Sequence, residues 1–480
     1  MKIKLSDYVM QFIANQGVRH VFMVPGGGAM HLNDSLGRST DIEFVCNLHE
    51  QASAIAAEAY AKVTNNLGVA LVTTGPGGTN AITGLAAAWL DSTPCLFISG
   101  QVKRADLKGN LGVRQLGVQE IDIISIVKPI TKYAITIMDP NTIRYHLEKA
   151  LYSAKSGRPG PVWIDIPLDV QASMINSESL ECFEPKDEDQ QEFNDSPLED
   201  QVDNVIKLLN EAERPIILIG NGVRLAGAYE ELLQLINKLE IPVMTTWMGI
   251  DLIPYEHELL IGSPGSIAPR GANFALQNSD WLLILGARLD MALIGYAPEK
   301  LAREATKIMV DIDPNEIKKL KGAINVPIYR NAKAFLVEFQ KQIKKVKKKD
   351  RTAWILRCKE WKTKYPVVLP EYRKQKELNT YYFSEILAEE LSDGDLIAPG
   401  SSGVAVEIFF QVFKAKEKQR VFHHRGLGSM GFALPASLGA CLASGRMRTI
   451  SIDGDGGFQM NIQELETVAR LNLPIKFFVF

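Results

Sequence analysis

Short apolar runs alternate with stretches of helical spacing along the whole chain. "HVFMVPGGG" and "GVALVTTGPGG" each predict a buried strand that ends in a glycine-rich turn. Between them, "EQASAIAAEAYAKVT" at 50–64 predicts a helix, because its small and apolar residues recur at helical spacing. Repetition of this strand–turn–helix unit predicts an α/β fold with doubly wound parallel sheets.

The same pattern occurs three times, separated by polar segments. We predict domains at 1–172, 198–340 and 377–480, the last of them incomplete. The linkers are the acid-rich 173–197 and the segment 341–376, which includes the basic run "KKVKKKDR". That run is interpreted as a solvated helix end rather than an anion site, and "LPIKFFVF" is expected to be a buried strand.

Charge and composition argue against several classes of protein. A formal net charge of -3 and a pI near 6.2 disfavour a nucleic-acid surface. The five cysteines are far apart and form no Cys-x-x-Cys pair, which favours a reducing compartment over disulfides or zinc. Asp91 and Pro94 interrupt the most apolar stretch, so no membrane span is predicted and a cytoplasmic protein is expected.

Several turns place glycines where a strand ends or a helix begins: "VPGGG", "TGPGGTN", "GLGSMG" and "DGDGG". Such turns bring backbone N–H groups close to a ligand, and helix N-termini favour phosphate. Each turn alone is more often ordinary turn chemistry. The glycines of "GNGVRLAG" are misplaced for a dinucleotide fingerprint.

Two acidic residues are candidates for chemistry. Asp455 stands between two glycines after the strand "ISID", where a carboxylate can bind Mg²⁺ that also touches a phosphate, or can simply cap the next helix. Asp453 is interpreted as structural. Glu50 begins the helix at 50–64, which suits either a favourable helix terminus or a proton-handling group aimed into a site.

The joint order of motifs resembles one known family. "PGG", "HEQ", "TTGPGGTNAITGLAAAWLDSTP", "SGQV", "SGRPGPVWIDIP", "GLGSMGFALPAS" and "GDGGFQMNIQELETV" are similar to the acetolactate synthase-like thiamine-diphosphate enzymes over nearly all of the chain. The resemblance implies pyrimidine-binding, central and diphosphate-binding domains. It also implies thiamine diphosphate, Mg²⁺, and a homodimer or homotetramer whose sites lie between subunits.

The resemblance also implies roles for individual residues. Glu50 is similar to the catalytic glutamate that shares a proton with the pyrimidine ring nitrogen, and Gln119 to a glutamine of the substrate channel. Met430 resembles the wedge that holds the cofactor in its V shape, and Asp455 the magnesium ligand. The other expected cofactor-binding residues are Pro25, Gly26, Gly27, Thr73, Pro76, Asn80, Ser401, Ser402, Gly428, Gly454, Gly456 and Gly457.

The sequence departs from that family at some of these positions. Val118 stands where the synthases carry phenylalanine, and Ser401 and Ser402 stand where they carry glutamine and histidine on the diphosphate. In the central domain, Arg288 and Asp313 resemble flavin-domain positions, which leaves FAD binding open.

The family's asparagine pair, one of which completes the magnesium site, would follow "PIKFFVF", where this sequence ends. We expect either a fragment of a longer protein or a truncated product, and in the second case weak cofactor binding and little activity.

The function that follows is a carboligase that decarboxylates a 2-oxo acid, pyruvate by expectation. It would transfer the two-carbon unit to a 2-oxo acid or a keto-sugar nucleotide. The alternatives are simple decarboxylation and an inactive remnant that only dimerises or binds cofactor. A nicotinamide oxidoreductase has no support beyond generic glycines.

Overall fold

The computed structural model describes residues 2–185, 196–401 and 403–480. These residues form two compact units. One contains the described residues of 1–190, 396–405 and 422–480, and the other those of 191–395 and 406–421. The first predicted domain and the larger part of the third, residues 396–405 and 422–480, therefore share a unit. Within the described part of the chain, no helix is long and apolar enough to cross a membrane.

The first unit contains a six-stranded parallel sheet in the order β3-β2-β4-β5-β7-β6, and β1 pairs with β8 as a separate antiparallel ribbon. The strands are β1 (Lys2–Lys4), β2 (His20–Met23), β3 (Glu43–Cys46), β4 (Gly68–Val72), β5 (Cys95–Gln101), β6 (Tyr133–Thr136), β7 (Val162–Pro167) and β8 (Met174–Asn176). The helices are α1 (Leu5–Asn15), α2 (Met30–Gly37), α3 (Glu50–Thr64), α4 (Pro76–Asn80), α5 (Ile82–Leu90), α6 (Ile123–Val127), α7 (Ile143–Lys155) and α8 (Leu168–Gln171).

Successive residues of this sheet enter different cores. Leu71 and Ile98 pack in one apolar cluster, whereas Val72 and Phe97 pack in another. Because side chains alternate across a strand, the two clusters lie on opposite faces of the sheet. The sheet is therefore covered on both faces, which explains why β4 is buried throughout.

The second unit repeats the architecture with a parallel sheet in the order β11-β10-β9-β12-β13-β14. Its strands are β9 (Pro215–Ile219), β10 (Val243–Thr245), β11 (Leu260–Gly262), β12 (Trp281–Leu285), β13 (Thr306–Asp311) and β14 (Val326–Tyr329). Its helices are α9 (Leu198–Glu211), α10 (Gly222–Leu225), α11 (Tyr229–Leu239), α12 (Arg270–Gln277), α13 (Pro314–Lys318), α14 (Ala332–Lys341), α15 (Thr352–Lys364) and α16 (Thr380–Glu390).

The structure differs between the two segments that were predicted to be linkers. Within 341–376, α15 forms and buries Trp354 and Cys358 in a core of the second unit, so this segment is not a simple linker. The expectation missed it because the neighbouring lysines masked the apolar positions. Within 173–197, residues 174–176 form β8, whereas 186–195 lie outside the described residues.

The rest of the chain adds a second parallel sheet to the first unit, in which β17 lies between β15 and β18. The elements in chain order are β15 (Leu396–Pro399), α17 (Phe409–Val412), β16 (Arg420–Val421), α18 (Ala433–Ala443), β17 (Thr449–Asp453), α19 (Asp455–Met460), α20 (Glu464–Arg470) and β18 (Ile475–Val479). Of these, α17 and β16 belong to the second unit.

The expected buried strand "LPIKFFVF" is β18, and only Ile475 at its start is buried. It is half-exposed because it is the last strand of its sheet and pairs on one side with β17. The prediction of a strand is correct and that of full burial is wrong. The fold class, α/β with several doubly wound parallel sheets, is confirmed.

Helices α3 and α18 pack tightly within the first unit. A Cβ atom added at Gly439 would lie 2.1 Å from the carbonyl oxygen of Ala56, so α18 approaches the α3 backbone directly. Small residues permit this approach, and α3 is buried along nearly its whole length. A helix fixed in this way holds its first residue, Glu50, in a defined place.

Candidate active site

Glu50 is the first residue of α3 and is only 9% exposed. The preceding His49 has extended backbone, and its ring nitrogen Nδ1 accepts the N–H of Gln51 at 3.1 Å. Since His49 caps the helix, the Glu50 carboxylate is not needed as the cap. Its Oε2 instead accepts a hydrogen bond from Asn80 Nδ2 at 2.9 Å.

The turn after β2 lies beside the end of β4. Gly28 N–H donates to Thr73 Oγ1 at 3.1 Å. A Cβ atom at Gly26 would lie 2.4 Å from the Cβ of Thr73, and one at Gly28 only 1.9 Å from Thr74 Oγ1. The inner side of this turn thus tolerates no side chain. Its outer side, at Pro25 and Gly27, is exposed.

A second turn, which joins β4 to α4, lies beside Glu50 and the first turn. Gly75 has φ +66°, and a Cβ atom there would lie 2.4 Å from the carbonyl oxygen of Gln119. Pro76 starts α4, and Gly77 approaches Glu50, whose Oε1 would be 3.6 Å from an added Cβ. The structure therefore brings Glu50, Asn80, Thr73 and the turn glycines together at the carboxyl ends of β2 and β4.

Gln119 lies at the end of an exposed loop that Glu120 holds. Burial raises the pKa of Glu120, but three backbone N–H donors outweigh it and hold that pKa below its ordinary value. These donors are the N–H groups of Lys108, Leu116 and Gly117. Val118, the departure from the family pattern, is 86% exposed.

A second group forms around β15 and β17 in the same unit. Gly428 has φ +65°, and an added Cβ at Gly456 would lie 3.0 Å from Met430 Cε, so the Met430 side chain covers the Gly456 backbone. Added Cβ atoms at Gly400 and Gly457 would lie 2.1 and 2.3 Å from Asp453 Oδ1. Asp453 is buried and fixes both glycines, in agreement with its interpretation as structural.

The remaining predicted ligands of this group have different surroundings. Asp455 is exposed, and its Oδ1 accepts the N–H of Gly456 at 2.8 Å. Gly454 N–H donates to Asp453 Oδ1 at 2.9 Å. The Ser401 hydroxyl, expected on the diphosphate, donates to the carbonyl of Ser429 at 2.6 Å. Ser402 lies outside the described residues.

The possible flavin residues lie in the second unit. Arg288 follows β12 and Asp313 follows the neighbouring β13, so both lie at the carboxyl edge of the central sheet. The carboxylate of Asp313 accepts the N–H of Asn315 at 2.9 Å and caps α13. Across the described ranges, no three His, Cys, Asp or Glu side chains form a metal-binding group.

Three profiles of the thiamine pyrophosphate enzymes match the chain. The N-terminal TPP binding domain matches residues 3–126, the central domain 202–339 and the C-terminal TPP binding domain 401–480. A probable acetolactate synthase large subunit of Methanocaldococcus jannaschii is 35% identical over 100% of this chain and 80% of its own length. The chain belongs to the acetolactate synthase family of thiamine pyrophosphate enzymes.

Other members of the family match to a similar extent. The acetolactate synthase large subunit of Lactococcus lactis is 34% identical over 99% of this chain and 81% of its own length. That of Corynebacterium glutamicum is 37% identical over 95% of this chain and 71% of its own length. The resemblance deduced from the motifs is confirmed.

The described residues fit the cofactor of this family. The glycine turns are tight toward the threonines and open toward solvent, as a cradle for a ligand must be. Thr74 Oγ1 has no hydrogen-bond partner among the described residues, but it lies under the turn at Gly28 and not on the open side, so the fit rests on the shape of the turn. The groups available to the cofactor are the carboxylate of Glu50, backbone N–H groups for phosphate and the carboxylate of Asp455 for Mg²⁺.

Sequence reasoning missed two residues of this region. His424 and Lys62 lie outside the family motifs, yet both contact the turn that carries Met430. "HHRGLG" contains two adjacent histidines before a glycine turn, and this was the one available signal for His424.

Proposed function

We propose that the chain is a thiamine diphosphate-dependent carboligase of the acetolactate synthase type. It decarboxylates a 2-oxo acid, for which we propose pyruvate, and transfers the two-carbon unit to a carbonyl acceptor. Glu50 carries the proposal. Its carboxylate begins a rigid helix, is released from capping by His49 and is oriented by Asn80 beside the glycine turn.

Each group of residues has a proposed role. The bound cofactor supplies a carbon nucleophile that amino-acid side chains lack. Glu50 holds and moves a proton at the pyrimidine ring nitrogen, for which a carboxylate fixed in position is suited. Gly428 and Met430 hold the ring system, and Asp455 binds Mg²⁺ next to the phosphates.

The rest of the predicted cofactor set supports these groups. We propose that the backbone of the first turns lies against the pyrimidine side and that of the later turns against the diphosphate. Gln119 lines the path of the substrate. The positions are Pro25, Gly26, Gly27, Thr73, Pro76 and Asn80 in the first set, and Ser401, Ser402, Gly454, Gly456 and Gly457 in the second.

We further propose a cytoplasmic homodimer or homotetramer in which Glu50 of one subunit serves a site that contains Asp455 and Met430 of another. Membership of the family supports this part of the proposal. FAD at Arg288 and Asp313 is a separate proposal, which the flavin absorbance of the purified protein tests directly.

The decisive experiment compares Glu50→Gln with the parent, using isotopically labelled pyruvate, thiamine diphosphate and Mg²⁺. General acid–base catalysis is worth about 10²–10⁴-fold, so we expect a loss of this size in product formation. Glu466→Gln is the matched control, since Glu466 is an exposed glutamate paired with Arg470. Equal turnover by Glu50→Gln and the parent, including none, would refute the proposal.

Product analysis then identifies the acceptor. Acetolactate indicates a second 2-oxo acid, and a branched sugar formed with a keto-sugar nucleotide indicates the sugar. Free acetaldehyde as the sole product would replace carboligation with simple decarboxylation. The exposed Val118, in place of phenylalanine, is the reason to test both acceptors.

A further inference from the structure

Three charged side chains lie buried together within the first unit. Lys62 Nζ is 2.7 Å from Glu58 Oε1 and 2.9 Å from Asp91 Oδ2, and the three side chains are 4%, 0% and 5% exposed. Burying charges is expensive unless the partners satisfy one another, and apolar residues of similar size are often as stable. None of the three has a role in the proposed chemistry.

Lys62 keeps its charge in this place. Burial favours the neutral amine, but the carboxylates of Asp91 and Glu58 outweigh it and raise the pKa of Lys62 above its ordinary value. An ammonium group has three N–H donors. One donates to Asp91 Oδ2 at 2.9 Å and another to the backbone carbonyl of His423 at 3.0 Å, while Glu58 Oε1 lies within ion-pair distance of the same nitrogen.

We name the turn at 423–432 the Met430 turn. Lys62 and Asp91 contact its first limb, residues 423–426. Asp91 Oδ1 accepts the N–H of Gly426 at 3.0 Å. A Cβ atom at Gly426 would lie 2.6 Å from the Cβ of Leu90, so the turn packs closely on the end of α5. The Lys62 ammonium also lies 5.8 Å from the ring centroid of Phe432, at the other end of the turn.

Hydrogen bonds within the Met430 turn connect this limb to Gly428 and Met430. Gly428 N–H donates to the carbonyl of His424 at 3.0 Å. His424 Nε2 donates to the carbonyl of Ser429 at 2.9 Å, and its ring stacks on Phe432 at a centroid distance of 3.9 Å. A shift of the limb at 423–426 is therefore passed on to the residues that face the proposed cofactor.

We propose that Lys62, together with Glu58 and Asp91, is a positioning residue that holds the Met430 turn in the conformation that receives the cofactor. This inference rests on the proposed function. Lys62 is twelve residues along α3 from Glu50, about 18 Å at the rise of an α-helix, so it acts through the turn and not on the reacting atoms.

The test compares Lys62→Met and Lys62→Arg with the parent. The control is Lys132→Met, which removes a half-buried lysine of the same unit that also donates to a backbone carbonyl, that of Ser156 at 2.5 Å. Hydrogen exchange of the peptides covering 423–432 is measured in the cofactor-free protein. The dissociation constant of thiamine diphosphate with Mg²⁺ is measured by fluorescence quenching.

We expect Lys62→Met to speed exchange in 423–432 and to weaken cofactor binding, each about tenfold, the effect of losing one hydrogen bond to a charged group. Lys62→Arg should recover most of both, whereas Lys132→Met should change neither. Should Lys62→Met fail to fold, Asp91→Asn, which keeps the shape of the side chain, should shift both readouts in the same direction.

Unchanged exchange in 423–432 for a folded Lys62→Met protein would overturn the inference, as would the same change in Lys132→Met. A parent protein that does not bind thiamine diphosphate would instead contradict the proposed function. The exchange result in the cofactor-free protein still decides the positioning role in that case, so the two failures are distinguishable.

Discussion

Asp165 on β7 is a buried carboxyl group whose protonation should set part of the pH dependence of stability. It is 1% exposed and accepts hydrogen bonds from Ser99 Oγ at 2.6 Å, Thr136 Oγ1 at 3.0 Å and Gln101 Nε2 at 3.2 Å. Burial raises its pKa to about 7, and the three donors only partly oppose this rise. The perturbation that tests it is Asp165→Asn.

The size of the effect follows from linkage. The pKa rises from 3.8 for an ordinary aspartate to about 7 in the folded protein. About three pKa units at 1.36 kcal/mol each give an upper bound of about 4 kcal/mol. Between these two values the folded state binds more protons than the unfolded state. The stabilisation is therefore complete below pH 4 and is lost as the pH rises through 7.

Asparagine keeps two of these hydrogen bonds and reverses the third, and it does not titrate. Its amide oxygen can accept from Thr136 and Gln101, while its nitrogen donates to Ser99 Oγ. We therefore expect Asp165→Asn to be no more stable than the parent near pH 5 but to gain on it steadily toward pH 8. The gain should approach a few kcal/mol, within the linkage bound.

Hydrogen exchange of peptides covering 95–101 and 162–167 measures the stability around Asp165 locally. It is recorded at several pH values and corrected for intrinsic exchange rates. A local probe is preferable because the chain has two compact units and need not unfold in one step. Asp41→Asn makes the same chemical change at an exposed position and should leave the slope unaltered. Identical pH slopes for Asp165→Asn and the parent would show that the carboxyl group titrates normally.

Two further predictions concern the packing of α18 and the exposed loop at 108–120. Gly439→Ala should destabilise the first unit by about 1–3 kcal/mol or more, because the new Cβ would lie 2.1 Å from the Ala56 carbonyl oxygen; an unchanged thermal midpoint would contradict the close crossing. Glu120→Gln should speed tryptic cleavage at Lys108 and Arg114, since its carboxylate accepts three N–H groups of that loop. Cleavage at the parent's rate would show that the loop is held by other contacts.

The fold was predictable wherever a local pattern decides the element. The helix predicted at 50–64 is α3 with the same bounds, because its residues favour a helix in any environment. β11 and β14 were missed, since "LIG" and "VPIY" are short and one contains a proline. Their strand conformation comes from pairing with β10 and β13, which no local pattern contains.

The candidate site likewise contains residues that were predictable from the sequence and residues that were not. Glu50 and the glycine turns were identified because turn chemistry and family motifs are local in sequence. The contact of Lys62 with His423 joins residues 361 positions apart, and its signal in the sequence is one lysine within an alanine-rich helix. Burial and charge pairing of this kind become visible only once the helices are packed.

Helix α3 carries both an acidic and a basic functional candidate, Glu50 and Lys62, and its packing against α18 fixes the position of both. At its start, Asn80 orients Glu50, for which we propose proton handling, and three turns later Lys62 contacts the Met430 turn. Between them, small residues allow α18 to approach the backbone at Ala56. Because protein interiors are close-packed, a displacement of the α3–α18 crossing moves both ends of the helix together. The alanines of this helix are thus as much a condition for the geometry of the site as the acid at its first residue.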